Sequence, residues 1–459
     1  VNPALAGAPI VTAAQMRAAE TACFAAGASQ TELMEQAART VARQVARFAR
    51  SRPVLVLAGP GNNGGDAFGV ASFLAEWGHD VAVAALGQCW AGAAGVMRDR
   101  WRGPVATLDV ATPRPVLVDG LFGIGLSRPI AAPIRDRLGL LVDAAELVVA
   151  IDVPSGRDAD AAPGEGARAD ITVALGALKP CHVVGDAGAC GHVTLAELAI
   201  AVPGETRMIA RPRLHRPLPG DHKYTRGLVL VIGGAMPGAA RLAAQAAACG
   251  GAGYVALASD DARVPFDAVV SRGVGAVAGL LEDPRLGAAV IGPGLGRDDD
   301  ARNLCEEVVA SHCPIVMDGD ALALVSLERL ALRAAPTILT PHGGEFDRMF
   351  GPGTGNKLDR TREAAQQTGA VVVHKGADTV IAAPDGCAVV AHPPAWLATA
   401  GTGDVLAGLA AARLAASHDP MQAAIEAVWL HARAASLAGP AFVADGLAMH
   451  LPQAIAECL

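Results

Sequence analysis

A chain of 459 residues is too long for one hydrophobic core, so two domains are expected, each burying a sizeable interior. The net charge is −8 and the 37 basic residues are dispersed, which leaves no electrostatic footprint for nucleic acid or an anionic membrane; a phosphate ligand must be held by local features. Nine cysteines without a Cys-x-x-Cys pair, no secretory leader pattern, and apolar runs broken before a spanning length together predict a cytoplasmic protein that does not cross a membrane.

In chain order, residues 16–49 place Leu33, Met34, Ala37, Val41, Val45 and Phe48 at helical spacing, which predicts an N-terminal helical region. Short Val/Leu/Ile runs follow at 53–58, 81–86, 116–119, 147–152 and 171–175, alternating with Ala-rich helical stretches. Continuous apolar runs ending in Gly or Asp are the pattern of buried parallel strands, so the first half reads as a doubly wound, Rossmann-like α/β domain with ligands at the carboxyl ends of its strands. The pattern lapses between 202 and 221, around Pro212, Pro217 and Pro219, and 206–220 reads as a linker. A second series follows at 228–232, 254–258, 289–291, 315–318, 337–339, 371–374 and 380–382, closed by helical stretches at 404–415 and 421–438. No fixed period repeats, so the expected domains, 1–205 and 221–459, are two different α/β units.

Three motifs sit at strand ends in the first half. Gly59, Pro60, Gly61, Asn62, Asn63, Gly64, Gly65 and Asp66 formally contain a dinucleotide fingerprint, but an NAD domain should carry an acid at the end of the next strand, and 81–86 is uninterrupted aliphatic sequence. The loop therefore suits phosphate or amide groups rather than a conventional NAD. Asp119 opens the second motif, which continues through Gly120, Leu121, Phe122, Gly123, Ile124, Gly125 and Leu126; Asp152 opens the third, with Pro154 and Ser155. Asn-Gly pairs and an Asp at a strand end are also ordinary turn residues.

In the second half, Gly401, Thr402, Gly403 and Asp404 place a carboxylate in the first turn of a helix beside small residues, where unpaired N–H groups can bind phosphate oxygens. Capping is the plain alternative. Thr340, Pro341, His342, Gly343, Gly344 and Glu345, and Lys375, Gly376, Ala377, Asp378 and Thr379, stand at the ends of two strand patterns. Residues 351–357 are glycine-rich but lack a Gly-Lys-Ser/Thr ending, which excludes P-loop catalysis, and zinc-type His and Cys spacings are absent.

In this order the motifs resemble the bifunctional nicotinamide-nucleotide repair enzymes, in which an NAD(P)H-hydrate epimerase domain precedes an ADP-dependent NAD(P)H-hydrate dehydratase domain of ribokinase-like α/β fold. The resemblance spans nearly the whole chain. For the epimerase it implies substrate contacts at Asn62, Asn63, Gly64, Gly65 and Asp66, and at Gly123, Ile124, Gly125, Leu126, Ser127, Arg128 and Pro129. It makes Asp152 the acid/base near C6 of the hydrated nicotinamide ring, and Asn63, Asp119 and Ser155 the ligands of a potassium ion. For the dehydratase it implies that Ala240, Gly294, His342 and Asp404 contact the hydrated cofactor, with Asp404 taking the hydroxyl proton. Lys375, Gly376, Ala377, Asp378, Thr379 and Gly403 would bind the adenine nucleotide. The implied co-substrate is ADP, with Mg2+, and a homo-oligomer is expected. Five positions depart from the family pattern: Ala38, Ala67, Tyr224, Ala235 and Ala400. A ribokinase-like kinase of a vitamin precursor with an N-terminal ligand-sensing domain is the alternative that fold-level analogy permits.

Overall fold

The computed structural model describes residues 3–87, 90–126, 128–160, 166–185 and 187–459. The chain divides into two compact units, Ala8–Thr206 and Arg207–Leu459, the second joined by the segment before Ala8.

The first unit is built on seven parallel strands: β1 (Val54–Ala58), β2 (Val81–Ala85), β3 (Val105–Thr107), β4 (Val116–Gly120), β5 (Leu147–Ile151), β6 (Ile171–Leu175) and β7 (His192–Ala196). Their order is β3-β2-β1-β4-β5-β6-β7. β1, β4 and β5 are buried from end to end, which is why β1 and β5 read as uninterrupted apolar runs and β4 as a run ending in Asp119 and Gly120. The chain winds outward from β1 through β2 to β3, then returns to lay β4 on the other side of β1. That reversal opens a crevice at the carboxyl ends of β1 and β4. The register sets Ala58 opposite Gly120, so the loops after the two strands leave side by side. They approach so closely that a methyl on Gly59 would lie 1.6 Å from the Leu121 carbonyl oxygen.

The expected N-terminal helical region is two helices, Ala13–Ala25 and Gln30–Ala49, separated at Gly27, whose φ is +97°. Ser29 caps the second by accepting the Glu32 amide. The apolar stripe of this helix buries Met34, Ala37, Val41 and Val45, whereas Phe48 is 40% exposed. Ala38 and Ala67, two of the departures, are accommodated by glycines opposite. Methyls on Gly69 and Gly120 would each lie 2.6 Å from the side-chain carbons of Ala38 and Ala67 respectively.

The second unit carries ten strands: β8 (Thr206–Met208), β9 (Leu228–Ile232), β10 (Tyr254–Ala258), β11 (Val270–Arg272), β12 (Leu286–Ile291), β13 (Ile315–Met317), β14 (Thr337–Leu339), β15 (Val371–His374), β16 (Thr379–Ala382) and β17 (Ala388–Ala391). The order is β11-β10-β9-β12-β13-β14-β15-β16-β17-β8, parallel from β11 to β15 and antiparallel through β16 and β17. The Ala-rich helices Pro237–Cys249, Thr402–Ser417 and Pro420–Ala438 supply much of one core. The stretch expected as a linker, 206–220, differs from a free connector in its first part. Thr206–Met208 is the edge strand β8, the Ile209 amide donates to the Val390 carbonyl at 2.8 Å, and Leu214 is buried with its amide 2.9 Å from the Cys458 carbonyl. Its prolines mark irregular backbone, and irregular backbone can still bury apolar side chains. Among the described residues no helix is long and apolar enough to cross a membrane.

Candidate active sites

The helix Asn62–Glu76 follows β1 after a short glycine turn and has no side-chain N-cap. Its first intrahelical bond is Gly65 N to Gly61 O, so the amides of Asn62, Asn63 and Gly64 face outward with the positive end of the helix dipole. The Asn63 side chain lies against Gly123, where a methyl would come within 3.2 Å of Oδ1, and its Nδ2 is buried with no hydrogen-bond partner among the described residues. Asp119, at the end of β4, is fully buried. It accepts the Ser155 hydroxyl at 2.6 Å, the Ser155 amide at 2.8 Å and the Leu121 amide at 3.3 Å, and Ser155 Oγ accepts the Phe122 amide at 2.9 Å. The loops after β4 and β5 are thereby pinned together. Burial pushes the Asp119 carboxyl above its usual range, and no salt bridge to it is found among the described residues.

Asp152 follows β5 with φ +62°, a left-handed conformation that Asp tolerates better than most residues, and is 5% exposed. Its Oδ1 accepts Lys179 Nζ at 2.5 Å and the Leu175 amide at 3.0 Å. Its carbonyl accepts His182 Nε2 at 2.7 Å, while His182 Nδ1 accepts the Lys179 amide at 3.0 Å, which fixes the tautomer with the proton on Nε2. Burial, followed by the Lys179 charge, lowers His182 to about 4, so the ring is neutral at physiological pH. Two further carboxyls lie within reach of Asp152. Burial and then the Asp152 charge raise Glu20, and burial, Asp152 and Glu20 push Asp66 well up, favouring its neutral form. Arg17, on the same helix as Glu20, donates to the Ile124 carbonyl at 2.8 Å and ties that helix to the Gly123–Leu126 loop. Lys179, His182, Glu20 and Arg17 are parts of this site that motif reading missed.

Of the expected substrate segment, Leu126, Arg128 and Pro129 line a cavity of about 990 Å3 together with Ser155, Arg157 and Arg168. Ile124 packs against the apolar clusters containing Val153 and Met16, and Ser127 lies outside the described residues. Among the described residues, Cys181, His182 and Cys190 are the one group of Cys, His, Asp or Glu side chains close enough to share a metal. Both ring nitrogens of His182 are already engaged, so the cluster reads as packing.

In the second unit, the helix Thr402–Ser417 starts after Gly401, whose φ of +87° makes the sharp entry. The first intrahelical bond is Val405 N to Gly401 O, leaving the amides of Gly403 and Asp404 ahead of it. Thr402 Oγ1 donates to the carbonyls of Leu397 and Thr399 at 2.8 and 2.9 Å, and His431 Nε2 donates to the Thr402 carbonyl at 2.9 Å. Asp318, at the end of β13, is 3% exposed and accepts Lys375 Nζ at 2.6 Å and Thr340 Oγ1 at 2.8 Å. A methyl on Gly403 would lie 3.3 Å from Lys375 Nζ and 3.6 Å from Asp318 Oδ2. Asp318, Lys375, Gly403 and Asp404 therefore converge. Burial first, and the Asp318 charge second, raise Asp404 to about 6, with Lys375 opposing. Asp318, within an Asp-Gly-Asp run at a strand end, is the residue that the sequence could have offered and that motif reading passed over.

The other expected residues fall differently. His342 is the N-cap of the helix Gly343–Phe350, its Nδ1 accepting the amides of Gly344 and Glu345 at 3.0 and 3.3 Å while its own amide donates to Glu345 Oε2 at 2.8 Å. The imidazole is half-exposed with its Nε2 3.4 Å from Glu345 Oε1, and the backbone of His342 pairs with Lys375. Gly376 and Ala377 are exposed, whereas Thr379 is buried and ties both the amide and the carbonyl of Gly376. Ala240 and Gly294 are buried: Ala240 packs toward Gly233, and the Gly294 carbonyl accepts the Met236 amide at 2.8 Å. They shape the floor of the loops and present little surface. Of the remaining departures, Tyr224 stacks on Tyr254 at 5.8 Å and Ala400 is exposed.

A family described as NAD(P)H-hydrate dehydratase matches residues 229–457, and one described as YjeF-related protein N-terminus matches 30–181. The chain is 33% identical over 429 residues to a bifunctional NAD(P)H-hydrate repair enzyme of Mycobacterium leprae, covering 88% of this chain and 89% of that one. It is 37% identical over 481 residues to the enzyme of the same description from Gloeobacter violaceus, covering 93% and 92%. Among solved structures, a ribokinase-like superfamily protein from Enterococcus faecalis is 24% identical, covers 57% of this chain and 99% of its own, and superposes with a TM-score of 0.50, a likeness of fold.

Proposed function

The chain belongs to the bifunctional NAD(P)H-hydrate repair enzymes, and from that premise we propose that its first unit interconverts the R and S epimers of hydrated NADH and NADPH while its second dehydrates the S epimer at the expense of ADP. The observation that carries this reading is the presence of two separate sites, one with Asp152 paired to buried Lys179 at the end of β5, the other with Asp404 in the first turn of a helix near the Asp318–Lys375 pair.

In the second unit, the C6 hydroxyl of the hydrated ring is a poor leaving group until it is phosphorylated. Asp404 accepts the hydroxyl proton as the hydroxyl oxygen bonds to the terminal phosphorus of ADP and the bond to AMP breaks. The first-turn amides of Gly403 and Asp404, with Lys375 Nζ, face the charge on the migrating phosphoryl group. Phosphate then leaves C6, assisted by the ring nitrogen lone pair, and loss of a proton from C5 restores the double bond. Lys375 is held for this task by Asp318, and burial, followed by the Asp318 charge, raises Asp404 toward the range where a base works near neutrality. In the first unit, Asp152 moves the proton near C6, oriented by Lys179 and by the Leu175 amide.

Potassium suits the corner formed by Asn63, Asp119 and Ser155. The donors would be the Asn63 Oδ1, a carboxylate and a hydroxyl, hard oxygen ligands appropriate to such an ion, with Asp119 and Ser155 already in contact. The ion would neutralise the buried Asp119. Asn63→Ala and Asp119→Ala are expected to weaken epimerisation selectively and to blunt its response when sodium or a large organic cation replaces potassium; a parent indifferent to the cation would overturn the site. Mg2+ fits as an ion carried by the nucleotide phosphates, since no cage of carboxylates is found among the described residues.

The deciding experiment incubates the protein with hydrated NADH and either ADP or ATP and follows absorbance at the reduced-nicotinamide band. Recovery with ADP, accompanied by AMP and phosphate, is expected. A stable phosphorylated product without recovery would favour a kinase instead.

A further inference from the structure

We propose that Lys357 is a positioning residue for the nucleotide loop of the second unit, bracing residues Lys375, Gly376, Ala377, Asp378 and Thr379 from inside and cancelling the Asp378 charge so that the loop accepts an anionic nucleotide. The proposal rests on the reading of that loop as the ADP site.

Lys357 opens the helix Lys357–Thr368, whose N-cap Asn356 accepts the Asp359 amide at 2.9 Å. Its side chain is 15% exposed, and Nζ donates to Asp378 Oδ1 at 2.7 Å and to the Lys375 carbonyl at 3.3 Å. A methyl on Gly376 would lie 2.6 Å from Nζ, so the ammonium fills the inside of the turn, leaving Gly376 and Ala377 as its outer surface. The backbone of Lys357 is itself fixed. Thr361 Oγ1 donates to the Lys357 carbonyl at 2.6 Å and is 3.2 Å from Nδ1 of His374, the last residue of β15 before the loop. His374 stacks on Phe346 at 4.0 Å with an interplanar angle of 6° and burial keeps it neutral; because the Thr361 hydroxyl proton goes to the Lys357 carbonyl, His374 Nδ1 is the donor to Thr361. A rigid strut therefore runs from β15 through Thr361 to the ammonium.

The two lysines divide the work. Lys375 points to Asp318 and Gly403, at the reacting end, while Lys357 stays behind the loop and offsets a carboxylate that would otherwise repel ADP. Without the Lys357 ammonium, the Asp378 charge would face a polyanionic ligand across a short distance at low effective dielectric.

The test measures kcat, KM for ADP and KM for hydrated NADH in the full chain, with thermal melting and calorimetric ADP binding. Lys357→Met is expected to raise KM for ADP roughly tenfold while leaving KM for hydrated NADH and the epimerase rate near the parent values. Combining it with Asp378→Asn should recover most of the lost affinity, because the pair is again neutral although the strut is still missing. An unchanged KM for ADP in Lys357→Met, or no recovery in the double variant, would overturn the proposal. So would a uniform loss of both substrates' KM and kcat with lowered melting, which is the mark of a purely structural prop. ADP binding that Lys375→Ala weakens and Lys357→Met does not would sink this proposal alone; a parent that does not bind ADP would sink the nucleotide-loop reading beneath it.

Discussion

Asp404→Asn is expected to abolish ADP-dependent dehydration, by on the order of a hundredfold or more, and at the same time to raise the melting temperature at neutral pH. The rate falls because an amide cannot accept the hydroxyl proton. The gain in stability follows from the environment of the carboxyl, which burial and Asp318 lift from 3.8 to about 6. A folded-state value above the unfolded one means that the native state binds the extra proton, so stability declines as pH rises from about 4 to about 6, and the full cost remains above that window. Discounted for partial solvent access, the cost is about 1–2 kcal/mol, which Asn removes while preserving shape. In the parent, kcat/KM for dehydration should climb with pH through about 6 and then level. A variant that loses activity and melts lower would show Asp404 to be a helix cap instead.

The second large effect concerns Asp152→Asn, assayed on a racemic mixture of hydrated NADH with excess ADP. The dehydratase family resembled here accepts only the S epimer, so the parent should convert everything in one course. The variant should consume S at the parental rate and then stall, with R draining only by slow uncatalysed interconversion. Asn suits φ +62° and can still accept the Leu175 amide through Oδ1, so the backbone should hold. The exposed consequence is Lys179, 1% accessible and 2.5 Å from the lost charge; breaking such a buried pair costs roughly 3–5 kcal/mol. Adding Lys179→Met removes the stranded ammonium and should restore melting while the stall persists. An uninterrupted course with Asp152→Asn would mean that this carboxylate is not the epimerase acid/base, or that the second site takes both epimers; assays on separated epimers distinguish the two.

Most interior strands were legible because burial on both faces leaves mainly apolar residues: β1, β5, β9 and β13 are unbroken runs, and β4 and β14 depart from one only at Asp119, Gly120 and Thr337, whereas β17, equally buried, went unread. β3, β8 and β11, three residues each at sheet edges, carry Thr and Arg and show no such run, and β7 opens on an exposed His192. The N-terminal stripe was right about Val41 and Val45 and too generous to Phe48, since helical spacing says which residues share a face and not where that face meets solvent. Glycine-rich loops pointed to both candidate sites because the expected chemistry is local: amides, a close turn and an acid within a few residues. Lys179, Glu20 and Lys357 were invisible for the opposite reason. Lys179 bonds Asp152, Lys357 bonds Asp378, and the Glu20 carboxyl feels the Asp152 charge, each across a separation in the chain that only the fold closes. His342 shows the limit of motif matching, for the same imidazole that matches a ligand contact also closes the end of its own helix.

The edge strand β8 has a bearing on how the chain reaches this arrangement. It is the first strand of its sheet to leave the ribosome, and its neighbour β17 is the last. Every strand of the first unit's sheet has emerged before β8, so that unit can fold while synthesis continues. The second cannot close its far edge until β17 arrives, and through that interval the side of β8 that meets β17 has no strand beside it, although the Met208 and Thr206 carbonyls can already accept the Gly7 and Ile10 amides. The arginine at its centre, Arg207, is exposed in the finished sheet, a charge of the kind that discourages edge-to-edge association while the strand waits.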